Sequence, residues 1–133
     1  MTTFKNTETR LIIQDILDFE NTFDLKLPES YKLHILRFNG GFPEEDLYFK
    51  NHPIDSFRPI KYGKRTVEHT IESLKGFLPE KVLPFGFSTS GYFYISLNEK
   101  NHGKVYIIFS DGEPELLSSS FNTFMDGLSE EEY

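Results

Sequence analysis

Hydrophobic positions recur with a helical step in several stretches of the chain and alternate as in a strand in others. Between about Glu8 and Phe23, the residues Ile12, Ile16, Phe19 and Phe23 are spaced by four, three and four, which lays them on one face of an α-helix that Asn6 or Thr7 can cap. Leu27-Pro28-Glu29-Ser30 reads as the start of a second helix. Proline at the first helical position loses no needed N–H, and Glu29 sits at the positive end of the macrodipole. Tyr31, Ile35 and Phe38 form the buried stripe of this helix. Asn39-Gly40-Gly41 ends it, because both residue types tolerate the left-handed conformation, and Pro43 bars its resumption. The two helices are expected to pack as a pair.

Leu47-Tyr48-Phe49 is a short aromatic run suited to a strand, whereas Asn51 to Pro59 holds two prolines and no clear period and is expected to be irregular. Thr66 can cap a third helix with Val67, Ile71, Leu74 and Leu78 inward, until Pro79 stops it. Beyond Pro79 the period changes. Leu83 to Phe87, Tyr92 to Leu97 and Lys104 to Phe109 are β-branched and aromatic runs, separated by Ser88-Thr89-Ser90-Gly91 and by Asn98 to Gly103, both of turn composition. These runs predict an antiparallel meander. Ser110 to Pro114 turns the chain into a short strand at Leu116-Leu117, and Ser120 caps a last helix with Phe121, Phe124 and Leu128 inward. The expected fold class is therefore α+β: one domain with a mainly antiparallel sheet, helices packed on one face and a core over about residues 12–128. The tail Glu130-Glu131-Glu132-Tyr133 is expected to fray.

Composition narrows the function. With 133 residues, 38% of them hydrophobic, the chain can build one core without a metal or disulfide staple. It has no Cys, which removes disulfides, zinc knuckles and thiol nucleophiles and fits a reducing compartment. No apolar run approaches the length of a membrane span, and Met1 to Asn6 lacks the apolar core of a secretory signal, so a cytoplasmic location is expected. The formal charge of −7 argues against nucleic acid or a membrane as partner, since phosphate binding draws on clustered Lys and Arg. Residues 1–60 carry 7 basic and 10 acidic side chains and residues 61–133 carry 7 and 11, so no basic arm hides in the average.

Motifs for catalysis each break at one position. His34, His52, His69 and His102 form no His-x-x-x-His pair, and they are expected to be solvated, the first and third on helix surfaces and the others in loops. Gly86 to Gly91 misses the nucleophile-elbow spacing by one residue and is followed by strand formers, which fits a hairpin. Asp111-Gly112 lacks the further ligands of a calcium loop, and no phosphate-cradling glycine motif occurs. No catalytic residue, metal or cofactor is expected. The acidic clusters Glu44-Glu45-Asp46, Glu113-x-Glu115 and Glu130 to Glu132 read either as solvated surface or, for the first two, as carboxylates presented to a cationic protein. Lys61, Lys64 and Arg65 are the one basic cluster, too small for a nucleic-acid groove. Tyr92 and Tyr94 alternate onto one face of a strand, either as core packing or as anchors for a partner. The candidate partner-binding residues are thus Glu44, Glu45, Asp46, Tyr92, Tyr94, Glu113 and Glu115.

The series Phe19-Glu20, Leu27-Pro28-x-x-Tyr31, Phe38-Asn39-Gly40-Gly41-x-Pro43, Leu83-Pro84-Phe85-Gly86, Gly91 before a strand, and Ser120-Phe121-x-x-Phe124 resembles the SUKH superfamily. That superfamily takes in the yeast cell-wall-assembly regulators and many bacterial immunity proteins. The chain departs from it at Tyr92 and Ser96, where members more often carry Asp. The resemblance implies a non-enzymatic domain that binds and neutralises a cognate polymorphic toxin, often a nuclease, or alternatively a regulatory or scaffold module of the same fold. A nuclease toxin is basic where nucleic acid would sit, which suits an acidic, aromatic-bearing inhibitor. The signature residues themselves are expected to be structural, with Pro28 starting a helix, Gly40 and Gly41 turning the chain out of it, and Phe85 and Phe121 packing.

Overall fold

Asn39 sets where the first helix can begin. A computed structural model describes residues 3–131. In it the Asn39 side chain is 1% exposed and works as a bridge. Its Oδ1 accepts from the Ile60 N–H (2.8 Å), while its Nδ2 donates to the carbonyls of Ile60 (3.0 Å) and Thr9 (2.8 Å). The Glu8 N–H donates to the Asn39 carbonyl as well (2.9 Å). Residues 8 and 9 are therefore held against Asn39, and the first helix cannot begin at Glu8. After strand β1 (Phe4–Lys5), helix α1 spans Ile13–Phe23, with Ile12 as its N-cap in place of Asn6 or Thr7. The Asp15 carboxylate accepts from the Ile12 N–H (3.0 Å), the reaching-back contact expected of an acidic third residue. Ile12, expected in the buried stripe, is 65% exposed, and Leu11 is buried in its stead beside Ile16 and Phe19.

Helix α2 (Glu29–Arg37) starts after Pro28, buries Tyr31 and Ile35, and gives way to Gly40 and Gly41, both with positive φ. A Cβ at Gly40 would meet Pro59 N at 2.7 Å, so only glycine lets the chain pass there. The Glu20 carboxylate accepts from the Leu27 N–H (2.8 Å) and lies 3.7 Å from Lys32, which ties α1 to α2.

Strand β2 (Phe42–Pro43) pairs with β1, and β3 (Tyr48–Phe49) pairs with β4 (His52–Pro53). The stretch expected to be irregular thus holds two short strands, β4 and β5 (Ser56–Phe57). Proline fits there because β4 is an edge strand, where no second neighbour needs its missing N–H. Helix α3 (Val67–Ser73) is capped by Thr66, whose side chain accepts from the His69 N–H, and it stops before Leu74, well short of Pro79. Leu78 leaves the expected stripe and packs on the other side of the main sheet.

The predicted meander is present. Strands β6 (Val82–Phe87), β7 (Gly91–Ser96), β8 (Val105–Phe109) and β9 (Pro114–Ser118) follow β5 in antiparallel order, with β9 longer than Leu116-Leu117. The 88–91 segment is a hairpin turn, closed by Ser88 N–H to Gly91 O (2.8 Å) and Gly91 N–H to Ser88 O (3.2 Å). A Cβ on Gly91 would lie 2.1 Å from the Ile108 carbonyl oxygen, so the strand start has room for hydrogen alone. Pro84 pairs with Tyr94 and Gly86 with Phe93, which makes Phe85 the extra residue of a bulge and turns its ring inward. Helix α4 (Phe121–Asp126), capped by Ser120, ends two residues short of Leu128, and Leu128 instead joins β10 (Leu128–Ser129), paired with β3. Glu132 and Tyr133 of the expected frayed tail lie outside the described residues.

The four helices among the described residues all contribute to one core on the inner face of the sheet. Ile16, Phe19, Tyr31, Ile35, Val67, Phe121 and Phe124 meet Leu83, Phe85, Phe93, Ile95, Val105 and Ile107 there. Phe124 stacks on Phe49 at 4.7 Å and receives Phe85 edge-on at 5.4 Å. The arrangement is the α+β fold expected, with helices on one face. The outer face carries a smaller cluster, Val82, Tyr94 and Ile108, partly covered by Phe77 and Leu78.

Candidate functional site

Helices α2 and α4 approach each other through Tyr31 and Phe121, whose rings meet edge to face at 5.4 Å. Above this contact, and beside the loop joining β2 to β3, lies a groove of about 870 Å³. Its apolar lining comes from Leu33, Leu47, Met125 and Leu128, and Leu33 is 63% exposed. Glu45, Asp126 and Glu130 place carboxylates around it, and Arg37, stacked on Phe38 at 5.3 Å, is the cation among its lining residues. Apolar and charged side chains side by side in one open groove are the composition of a protein-binding surface.

His34 stands in the wall of this groove, and its environment corrects the expectation of a solvated ring. Phe4, Phe38, Phe57 and Phe121 surround it with ring centroids 5.3–5.9 Å away, and its Nε2 is buried without a hydrogen-bond partner. Burial, reinforced by the Arg37 charge, pushes its pKa down to about 4, so the ring is neutral at neutral pH. Ser30 lies one helical turn before it in the same groove, but no hydrogen bond joins the two.

The structure distributes the residues nominated from sequence over three places. Glu44, Glu45 and Asp46 are exposed on the loop after β2, as expected, and Glu45 reaches the groove. Tyr92 and Tyr94 share the outer face of the sheet, also as expected. Tyr94 is only 3% exposed, stacked on Tyr106 at 5.2 Å, and burial with the neighbouring Tyr106 pushes its pKa up to about 12. It is packing, not an anchor in reach of a partner. Tyr92 is half-buried and meets Phe87 edge to face at 5.1 Å. Glu113 sits at the exposed tip of the β8–β9 turn, its N–H donating to Asp111 Oδ1 (2.9 Å). Glu115 is in a strand, not a loop, and lies across from Ile107, so it faces away from the tyrosines. Its carboxylate is 3.6 Å from His52 Nε2. His52 is itself buried in β4 against Phe109, which corrects its expected place in a solvated loop. His69 and His102 are exposed as expected.

Leu33, Met125, Asp126 and Glu130 were not nominated. A large aliphatic residue at position 33, off the Tyr31, Ile35 and Phe38 stripe, is the signal that points to this surface.

Other ionisable groups hold structure. Lys61 Nζ binds Asp15 Oδ1 at 2.6 Å, and this hydrogen bond, with the Ile12 N–H, keeps the Asp15 carboxyl below the usual carboxylate range. The Glu68 carboxylate accepts from the Lys61 N–H (2.7 Å), and burial raises its pKa. Burial also raises that of the Tyr31 hydroxyl, helped by the Glu68 charge. Among the described residues, no group of three or more His, Asp or Glu is placed to hold a metal ion. None of their helices is long and apolar enough to cross a membrane.

No curated protein matches the chain significantly. A family model, however, matches residues 13–127, from the first residue of α1 to the glycine after α4, and the fold agrees with it. The chain belongs to the SMI1 / KNR4 family (SUKH-1).

Proposed function

We propose that the protein is a cytoplasmic immunity protein, which binds a cognate bacterial polymorphic toxin in a stoichiometric complex and neutralises it without catalysis. Family membership fits an immunity or regulator-like role. The observation that favours immunity is the groove between α2 and α4, lined by Leu33, Leu47, Met125 and Leu128 together with Glu45, Asp126 and Glu130, in a chain of net charge −7. A nuclease toxin offers the complement, since it must hold Lys and Arg where nucleic acid binds. Carboxylates steer such a partner and fix its orientation, while Leu33 and Met125 provide apolar area that is desolvated on contact.

The test is complex formation with the toxin encoded beside the gene. A one-to-one complex that blocks the toxin, and associates more slowly as salt rises, is the expected result. Absence of binding to any neighbouring toxin at micromolar concentration would overturn the reading. Co-purification with an endogenous protein, from a gene with no toxin neighbour, would assign the chain to regulatory or scaffold binding instead.

A further inference from the structure

The basic cluster Lys61, Lys64 and Arg65 divides in the fold. Lys61 is taken up by Asp15. Lys64 and Arg65 instead line a cleft of about 600 Å³ beside the edge strand β5, together with Arg58, Glu8 and Phe42. This cleft shares no lining residue with the α2–α4 groove.

Arg58 is the unusual member. It is only 8% exposed, its N–H donates to the Phe85 carbonyl (2.8 Å), and its guanidinium carbon lies 5.2 Å from the Phe87 ring centroid and 5.9 Å from that of Tyr92. A guanidinium stays charged at any pH the fold survives, and burying it is costly unless a carboxylate or other anion faces it. The ring contacts offset part of that cost. No ion pair does: among the described residues none joins Arg58 to a carboxylate, and although the Tyr92 hydroxyl hydrogen-bonds to its side chain, its Nε has no hydrogen-bond partner. Arg65 adds charge of the same sign close by. The one acid of the cleft, Glu8, has its carboxyl against Gly63, where a Cβ would meet its Cδ at 2.9 Å, and it forms no ion pair with the three cations. Lys64 and Arg65 are exposed and solvated, so it is Arg58, buried without a facing carboxylate, that leaves a charge for a ligand to meet.

We propose that this cleft binds a phosphate monoester, with the Arg58 guanidinium as its buried donor and Lys64 and Arg65 closing on it from the rim. Three cations and one carboxylate leave two positive charges, which a phosphate dianion balances and a single carboxylate does not. Arginine also presents the paired N–H donors that phosphate oxygens accept.

The experiment is a titration of the folded protein with inorganic phosphate at constant ionic strength, read by backbone amide NMR shifts. Saturable shifts at Gly63, Lys64 and Arg65 at millimolar phosphate or below are expected, with much weaker response to acetate. Lys64→Gln with Arg65→Gln, both at exposed positions where folding is not at risk, should weaken binding by about tenfold or more, as should Arg58→Gln if it folds. Glu8→Gln should tighten binding by removing the competing carboxylate. Repeating the titration with free phosphoserine and with a phosphoserine peptide of neutral sequence distinguishes the source. Tighter binding of the peptide assigns the site to a phosphorylated partner, and equal binding assigns it to a small phosphate ester. No saturable shift by 20 mM phosphate (about an order of magnitude beyond the expected range), equal response to acetate, or unchanged affinity in the double variant would overturn the proposal.

Discussion

The aromatic frame beneath the α2–α4 groove and the groove itself share Phe121, yet they obey different rules. In the frame, Tyr31, Phe85, Phe93 and Phe124 are packed ring against ring, and Asn39, Gly40 and Gly91 sit where another side chain would leave a polar group unpaired or collide with backbone. On the groove, Leu33, Glu45, Asp126 and Glu130 are exposed or face open space, and nothing in the fold dictates their identity. The residues that carry the family resemblance lie almost entirely in the frame. One body can therefore keep its architecture while the surface above it is free to follow a different partner, and substitutions in the two regions should separate cleanly by what they change.

The largest expected effect is in the frame. Phe124→Ala removes a ring that contacts Phe49, Phe85 and Phe93 and should cost about 3–5 kcal/mol, read as a lower denaturant midpoint. A loss under 1 kcal/mol (below about a third of the usual cost) would mean the frame is looser than its ring packing implies. Asn39→Ala should come next, at about 3–4 kcal/mol, because it strands the Ile60 N–H and C=O and the Thr9 C=O together. Amide exchange should then rise at Ile60 and in the 8–11 segment before it does in the sheet.

His34 sharpens the contrast, since it belongs to both regions. Its folded pKa of about 4 lies below the ordinary value of 6.5, so between those pH values the unfolded chain binds the proton more readily. Stability should therefore fall as pH drops from about 6.5 toward 4, by up to about 3 kcal/mol, and this group should contribute no further slope below that window. His34→Phe should flatten the slope; an unchanged slope would place its origin in other groups. Smallest in stability is the reversal of Glu45, Asp126 and Glu130 to Lys, expected to stay within about 0.5 kcal/mol per site while altering binding.

Much of the fold was legible because its signals are local. The meander follows from alternation and turn residues, and the caps Thr66 and Ser120 act within three residues of themselves. What was hidden depends on distant partners. The first helix begins at Ile13 because Asn39, thirty residues away from Thr9, holds the preceding segment. Leu128 becomes strand because Phe49 lies opposite it. The candidate site was only partly visible for the same reason: Glu45 could be nominated as an exposed acid, but the groove needs α2, α4 and the tail to meet. Tyr94 stayed open between packing and anchor because alternation tells which face a residue takes and not what covers that face.

The most direct test of the binding account is the association rate of the toxin encoded beside the gene, measured across ionic strength with the wild-type chain and with the Glu45→Lys, Asp126→Lys, Glu130→Lys variant. The wild-type rate should fall steeply with salt, and the variant should associate at least about tenfold more slowly at low salt with a flattened or inverted dependence. Matching rates and matching salt slopes for the two chains would contradict the binding account.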